Sequence, residues 1–169
     1  MLTQKIAEFV IDTKASDVPQ EALNDARDTL IDTIGCGLSG TLEDVCRILV
    51  HFLRGQGGNA QATVWGVGFA TTVSDAAFAK GVFSHALDYD DMHSHLRGHP
   101  SALIPAILAV GESVQSSGID ALFDHVIGLE VAGKLGRVWA MAIICAAGML
   151  RRPSAHFPPP PRRPCSTAR

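Results

Sequence analysis

The 169-residue chain is long enough for one domain with a sizeable core and too short for two ordinary domains. Aromatic residues make up only 6% of it, which favours close-packed helices over a β-sandwich. A formal net charge of −3 excludes the whole-protein positive field that attracts nucleic acid or an anionic membrane surface.

The cysteines and the apolar segments indicate where the protein resides. No two cysteines form a C-x-x-C pair, which predicts reduced thiols in a cytoplasmic protein, at Cys36, Cys46, Cys145 and Cys165. The N-terminus lacks the continuous apolar stretch of a secretory signal. The longest apolar run, residues 138–150, falls short of the roughly 20 residues that span a bilayer. We therefore expect a soluble protein with no membrane and no nucleic-acid partner.

In the first part of the chain, apolar residues recur at helical spacing and predict a first helix that ends near Ala15. Asp17 and Pro19 form a start signal for a second helix. Thr41 is predicted to open a third helix. Residues 60–65, AQATVW, are the only convincing extended stretch.

Three more helices are predicted in the second part of the chain, over residues 75–87, 100–116 and 120–137. Ser74 is a good N-cap for the first of them, and Asp120 for the last. Pro100 lies in the first turn of the middle one, where proline is tolerated. About six helices joined by short loops predict an all-α fold.

The C-terminal residues 151–169 depart from this pattern. They are rich in proline and arginine and have no helical or strand period, so we expect disorder. A recognition tail for a partner and a non-native extension from a shifted reading frame are both compatible with this composition. The chain thus divides into a helical domain (1–138), an apolar segment of uncertain structure (139–150) and the tail.

The segment 84–102, SHALDYDDMHSHLRGHPSA, is the most informative stretch. It gathers three carboxylates and four histidines between two apolar elements, at Asp88, Asp90, Asp91, His85, His93, His95 and His99. Packing alone gives no reason for such a cluster. Acid–base chemistry, metal ligation or recognition of an anion would each give one.

Helix geometry favours acid–base chemistry. His85 and Asp88 are three residues apart, so both can face one side at the end of a helix. His99 directly precedes the predicted helix start at 100–102, whose free backbone N–H groups would cradle a carboxylate. Asp88 as base and His99 as acid would suit removal of a proton from carbon next to a carboxylate.

Other interpretations stay open at this point. The segment could be a solvated connection, and the protein a non-catalytic helical dimerisation module. A metal-dependent hydrolase would use Asp88, His93, His95 and His99, although their spacing matches no defined ligand motif.

Residues outside the cluster are interpreted more simply. We expect Lys80 to be solvated, and His51 and His125 to be ordinary surface or boundary histidines. Residues 65–69, WGVGF, lack the G-x-G-x-x-G spacing of a dinucleotide site.

Four motifs in the same order resemble the MmgE/PrpD family, which includes 2-methylcitrate dehydratases and cis-aconitate decarboxylases. They cover roughly residues 1–138 and comprise ATVWG (62–66), HALDYDD (85–91), HPSA with IPAILA (99–102 and 104–109), and the pattern at 128–137. The resemblance implies a homodimer with a large helical domain, a smaller α/β lid domain and no metal or organic cofactor. It also implies dehydration, decarboxylation or related proton transfer on small di- or tricarboxylates.

Carried over by position, the family's motif aspartate is Asp88 and its HPS histidine is His99. A threonine commonly follows the paired aspartates, and Met92 takes that place here. Five further residues are expected to contact the substrate, namely His85, Asp91, Met92, His93 and Ser101. We expect the lid domain to lie outside these 169 residues, and we therefore expect little or no activity from this chain alone.

Overall fold

The computed structural model describes residues 1–93 and 98–146, with side chains as far as residue 136. The predicted disorder of residues 151–169 and the predicted metal ligand His95 lie outside the described residues. Two short 3-10 turns, Ala15–Asp17 and Pro100–Ala102, accompany the regular elements.

The described part of the chain contains six α-helices and one β-hairpin, which confirms the all-α prediction in its main feature. The helices are α1 (Leu2–Asp12), α2 (Gln20–Gly40), α3 (Asp44–Gln56), α4 (Val73–His85), α5 (Ile104–Val114) and α6 (Gly118–Ala146), and the strands are β1 (Ala62–Val64) and β2 (Phe69–Thr71).

The hairpin accounts for the glycine-rich stretch that follows β1. The two strands pair antiparallel, with Val64 opposite Phe69. Gly66 and Gly68 both have a φ of +69°, a left-handed conformation that glycine adopts without steric cost. The sequence pattern missed β2 because this strand is too short to show an alternating period.

The predicted starts of α3, α4 and α6 are wrong by two or three residues. Helix α3 begins at Asp44, because Thr41 closes α2 through the bond from its N–H to the Leu38 oxygen. Helix α4 is capped by Thr72, whose Oγ1 accepts the Asp75 N–H at 3.2 Å, and Ser74 lies inside the helix.

The start of α6 shows a reciprocal cap. The Ser117 N–H donates to Asp120 Oδ2 at 3.2 Å, and the Asp120 N–H donates to Ser117 Oγ at the same distance. Ser117 is therefore the cap, and the predicted cap Asp120 is the third helical residue. The helix continues to Ala146, so residues 139–146 of the predicted apolar segment are helical.

Small residues let α2 and α4 approach each other closely. A Cβ on Gly40 would lie 2.1 Å from the Phe83 carbonyl oxygen, and one on Gly37 would lie 2.5 Å from the Trp65 ring. The main core lies beside this contact and consists of Cys46, Leu49, Leu53, Val64, Ala79 and Phe83. The close contact fixes the C-terminal end of α4 against α2, which is where the acidic and histidine-rich segment begins.

Cys36 and Cys46 are buried free thiols, as predicted, and burial raises the pKa of both. Cys145 and Cys165 lie outside the described side chains. Over residues 1–93 and 98–146, no helix combines the length and the apolar character needed to cross a membrane.

Candidate active site

The chain reverses direction just after α4. His85 is the last residue of the helix, and the Asp88 N–H donates to its carbonyl oxygen at 3.1 Å. Asp88 has a φ of +53°, in the left-handed region that aspartate tolerates better than most residues. This reversal carries the next residues back against the helix end, where Asp90 is only 5% exposed.

The buried Asp90 carboxylate lies between two histidines. Its Oδ1 lies 2.8 Å from His85 Nδ1, and its Oδ2 lies 3.3 Å from His99 Nδ1. The two imidazole rings are 4.5 Å apart between centroids and tilted by 55°. One carboxylate therefore lies against both rings at the end of α4.

Asp90 carries its negative charge at neutral pH. Burial alone would raise the pKa of this carboxyl, but the neighbouring Ser101 hydroxyl and the His85 imidazole outweigh burial and lower it. Because the Asp90 carboxylate is buried and charged, it can orient the imidazole N–H groups that lie against it.

The contacts of His99 indicate which of its nitrogens is free. Its Nδ1 lies 3.1 Å from the carbonyl oxygen of Asp90 and 3.0 Å from that of Asp91. Carbonyl oxygens only accept, so Nδ1 carries the proton and Nε2 is left for other partners. His85 similarly directs Nδ1 at Asp90, and its Nε2 lies 3.6 Å from Asp88 Oδ1.

Backbone contacts hold the segment between the two histidines. The Asp91 N–H donates to Asp32 Oδ2 on α2 at 3.2 Å. The His93 N–H donates to the Gly98 oxygen at 3.0 Å, which closes the intervening loop and returns the chain to His99.

A cavity of about 550 Å³ adjoins the two imidazoles. His85, His99 and Ser101 form its polar side, and side chains of α4 and α5, including Phe78 and Pro105, form its apolar side. A second cavity of about 290 Å³ lies between α2 and α6 and includes His93, Asp25 and Lys134 in its walls. Separate cavities therefore hold His93 and the other two histidines.

The structure brings together part of the predicted site. His85 contacts both Asp88 and Asp90, and its ring lies against that of His99. The side chain of Asp88 is 80% exposed, and its ion pair within the cluster is with His85. Ser101 is buried beside Asp90, whereas Asp91 and Met92 are exposed.

The predicted N-terminal cradle after His99 is wrong. Residues 100–102 form a 3-10 turn of their own, and α5 starts only at Ile104. The Ala102 N–H donates to the His99 oxygen and the Leu103 N–H to the Pro100 oxygen. Because neighbouring carbonyls already bind these donors, they do not face a ligand.

The sequence interpretation missed the central role of Asp90. Three aspartates stand in the run LDYDD, and the composition of that run does not indicate which one turns inward. The left-handed backbone at Asp88 decides this, and aspartate's tolerance of that conformation is the only sequence signal for it.

Two polar residues outside the cluster were also predicted wrongly. Lys80 is fully buried, with its Nζ bonded to Glu112 Oε1 and 5.7 Å from the centre of the Trp65 ring. His125 is fully buried as well, because α6 packs against α2 and α5 along that face. Helical spacing alone cannot separate a buried polar residue from a boundary one.

One group of described residues has the composition of a metal site. Single ligand atoms of His85, Asp90 and His99 lie within 4.8 Å of one another. The sequence-derived alternative of Asp88, His93, His95 and His99 is a different set, and it includes a residue outside the described range.

Comparisons with known proteins assign the chain to a family. The chain matches the MmgE/PrpD N-terminal domain over residues 4–144. It is 30% identical to cis-aconitate decarboxylase of Homo sapiens over 79% of this chain and 29% of that protein. It is also 30% identical to the cis-aconitate decarboxylase-like protein oryM of Aspergillus oryzae, over 87% of this chain and 32% of that protein. The cis-aconitate decarboxylase of Aspergillus terreus is 24% identical. The chain thus spans about a third or less of the length of these relatives.

Proposed function

Because the chain belongs to the MmgE/PrpD family, we propose that His85, Asp88 and His99 form the acid–base part of a lyase site for small di- or tricarboxylates. The observation that carries the proposal is the buried Asp90 carboxylate, which holds His85 and His99 together beside an open cavity.

Asp88 is the proposed base. Its carboxylate is exposed and therefore reachable by a substrate, and His85 Nε2 lies 3.6 Å away on the side of the cluster. A carboxylate in this position can take a proton from carbon next to a substrate carboxyl group, as dehydration requires.

His99 is the proposed acid. Its Nδ1–H is bound to backbone carbonyls, so Nε2 is the nitrogen that exchanges a proton with the substrate. The negative charge on Asp90, 3.3 Å away, stabilises the imidazolium form of His99, which is the form that donates the proton. The same residue can protonate a departing hydroxyl group in dehydration or the carbanion left by loss of CO2 in decarboxylation.

The cavity walls support an anionic substrate. His85, His99 and Ser101 form a polar wall on one side, where a protonated imidazole would donate to an anion through Nε2, and apolar side chains of α4 and α5 enclose the carbon skeleton on the other. Met92 offers no hydroxyl for a substrate oxygen and is exposed, so we assign it at most a packing contact. Asp91 and His93 are more distant candidates for substrate contact, since Asp91 is exposed and His93 borders the second cavity.

We expect slow turnover from the 169-residue chain by itself. About half of the His85 side chain and most of the Asp88 side chain are exposed, so water reaches the reacting groups. Water raises the effective dielectric constant around developing charges and weakens their stabilisation.

We also propose that the chain self-associates into a homodimer. Helix α3 presents exposed apolar side chains along one face at Val45, Ile48 and Phe52, which are 50%, 70% and 54% exposed. Sedimentation velocity should show a dimer for the wild type and a monomer for Ile48→Glu. A wild-type monomer at micromolar concentration would contradict this part of the proposal.

Titration with cis-aconitate, followed by NMR of the histidine ring protons, tests the acid–base site. We expect saturable shifts of the His85 and His99 signals and little change at His51, which is exposed on α3. In D2O, slow exchange of ligand C–H protons should disappear in Asp88→Asn and persist in the matched surface variant Asp28→Asn. Equal exchange in both variants, or no saturable shift with any di- or tricarboxylate, would refute the proposed function.

A further inference from the structure

We propose that His85, Asp90 and His99 form a binding site for a divalent transition-metal ion, with Zn²⁺ as the ion of choice. Two imidazole nitrogens and one carboxylate oxygen match the ligand set that zinc accepts in proteins. Bound metal would occupy both imidazoles and so compete with the acid–base chemistry proposed above. The competition between metal binding and proton transfer rests on that proposed function, whereas the binding of the metal ion does not.

The distances between the ligand atoms fit one ion. With metal–ligand distances of about 2.0–2.1 Å, neighbouring ligands of a tetrahedral ion are roughly 3.3 Å apart. His99 Nδ1 lies 3.3 Å from Asp90 Oδ2, and His85 Nδ1 lies 2.8 Å from Asp90 Oδ1. Single ligand atoms of all three residues lie within 4.8 Å of one another, so binding requires rotation of the rings to direct their nitrogens at a common point.

The carboxylate has an atom available for the metal. Asp90 Oδ2 is fully shielded from solvent and accepts no well-aligned hydrogen bond from the described residues. His99 Nδ1 is near it, but the proton on that nitrogen points to backbone carbonyls. A buried anionic oxygen whose neighbouring donors are poorly aligned is costly, and a cation would compensate it.

Further ligand atoms lie close to the same point. The carbonyl oxygens of Asp90 and Asp91 are each within 3.1 Å of His99 Nδ1. When zinc replaces the proton on this nitrogen, one of these oxygens or a water molecule can complete a four-ligand shell. Because His85 is half-exposed, an ion can reach the site from solvent.

Calorimetric titration of the chelator-treated chain with ZnCl2 tests the proposal, with no carboxylic acid present. We expect one ion per chain, and an affinity reduced about tenfold or more in both His85→Gln and Asp90→Asn. The matched control His51→Gln removes an exposed histidine elsewhere and should bind like the wild type. Circular dichroism establishes whether each variant is folded. If Asp90→Asn does not fold, His85→Gln still tests the proposal, because His85 is half-exposed and its replacement disturbs the fold less.

The possible results separate this proposal from others. Unchanged zinc binding in both His85→Gln and Asp90→Asn would overturn it and would point to thiols or to other histidines. Loss of binding in a His93→Gln variant, with His85→Gln unaffected, would also overturn it. Zinc binding that needs His85, combined with no binding of cis-aconitate, would support the metal site and refute the proposed function alone.

Discussion

Helix α4 carries two polar networks within two turns of each other, and they differ in how completely they are paired. Near its middle, the buried Lys80 ammonium binds Glu112 of α5. The other Glu112 oxygen accepts the N–H and the hydroxyl of Thr63, each at 2.7 Å. At the helix end, Asp90 binds His85 but leaves one oxygen without an aligned donor, and Asp88 is open to solvent.

The difference between the two networks separates structure from function. The network around Lys80 joins α4, α5 and the hairpin, and hydrogen bonds or the ion pair engage both oxygens of Glu112. A substrate would find no free group there. The network around Asp90 places the imidazoles of His85 and His99 next to a cavity, with Nε2 of His99 as the proposed site of proton exchange. Burial of a charge therefore does not identify a site, and the proposed site rests on incomplete pairing beside a cavity.

The largest expected effect on stability comes from breaking the network around Lys80 and Glu112. Glu112→Gln leaves the Lys80 ammonium buried without an anion, which should lower the free energy of unfolding by about 3–5 kcal/mol. Urea denaturation followed by circular dichroism measures this loss.

A double variant supplies the control for this prediction. Replacement of both charges, as in Lys80→Met with Glu112→Met, should recover much of the lost stability because no buried charge remains. If the double variant is as unstable as Glu112→Gln, the pair is not the cause.

His125 offers a test of how much stability is lost when a polar side chain is buried without hydrogen bonds. Neither of its ring nitrogens has a hydrogen-bond partner among the described residues. Burial and the nearby His93 lower the pKa of His125 to about 4. Because the folded state binds this proton less readily than the unfolded state, stability is fully present above about pH 6.5 and declines as the pH falls towards 4.

The expected loss over that interval is on the order of 3 kcal/mol. In His125→Leu the slope of stability against pH between 6.5 and 4 should become shallow. Parallel pH curves for the variant and the wild type, measured by urea denaturation at several pH values, would count against this assignment.

The same residues show how far sequence reasoning reaches. The pattern of apolar residues predicts all six helices of the described chain, since helical spacing depends on which side chains leave water. The clustering of aspartate and histidine locates the region of the site. Neither signal separates Lys80 or His125 from surface residues, because their burial depends on which elements pack against them.

The orientation of the site was beyond the sequence for a related reason. Whether Asp88, Asp90 or Asp91 turns inward depends on one left-handed residue and on the tether from Asp91 to Asp32, which is distant in sequence. Local propensity allows several such turns, and the contact with α2 selects one. Tertiary contacts therefore decide which aspartate is the buried one.

A smaller effect on stability is expected from Asp90→Asn, which keeps the shape of the side chain and removes its charge. The loss of the charged hydrogen bond to His85 should lower the free energy of unfolding by about 2 kcal/mol. The matched variant Asp91→Asn removes a neighbouring exposed carboxylate and should cost less. Asp90→Asn should also change the NMR signals of both His85 and His99, and if only one ring responds, Asp90 does not hold the two together.

The smallest effect on stability belongs to Asp88→Asn, and this variant completes the comparison. The Asp88 side chain is 80% exposed, and asparagine tolerates its left-handed backbone at least as well, so stability should change by no more than about 0.5 kcal/mol. The proton exchange assigned to Asp88 should nevertheless be lost. A residue whose replacement removes proton exchange without lowering stability is expected only in the network around Asp90. If Asp88→Asn destabilises the chain as much as Asp90→Asn does, Asp88 is a structural residue, and the base has to be sought elsewhere around the cavity.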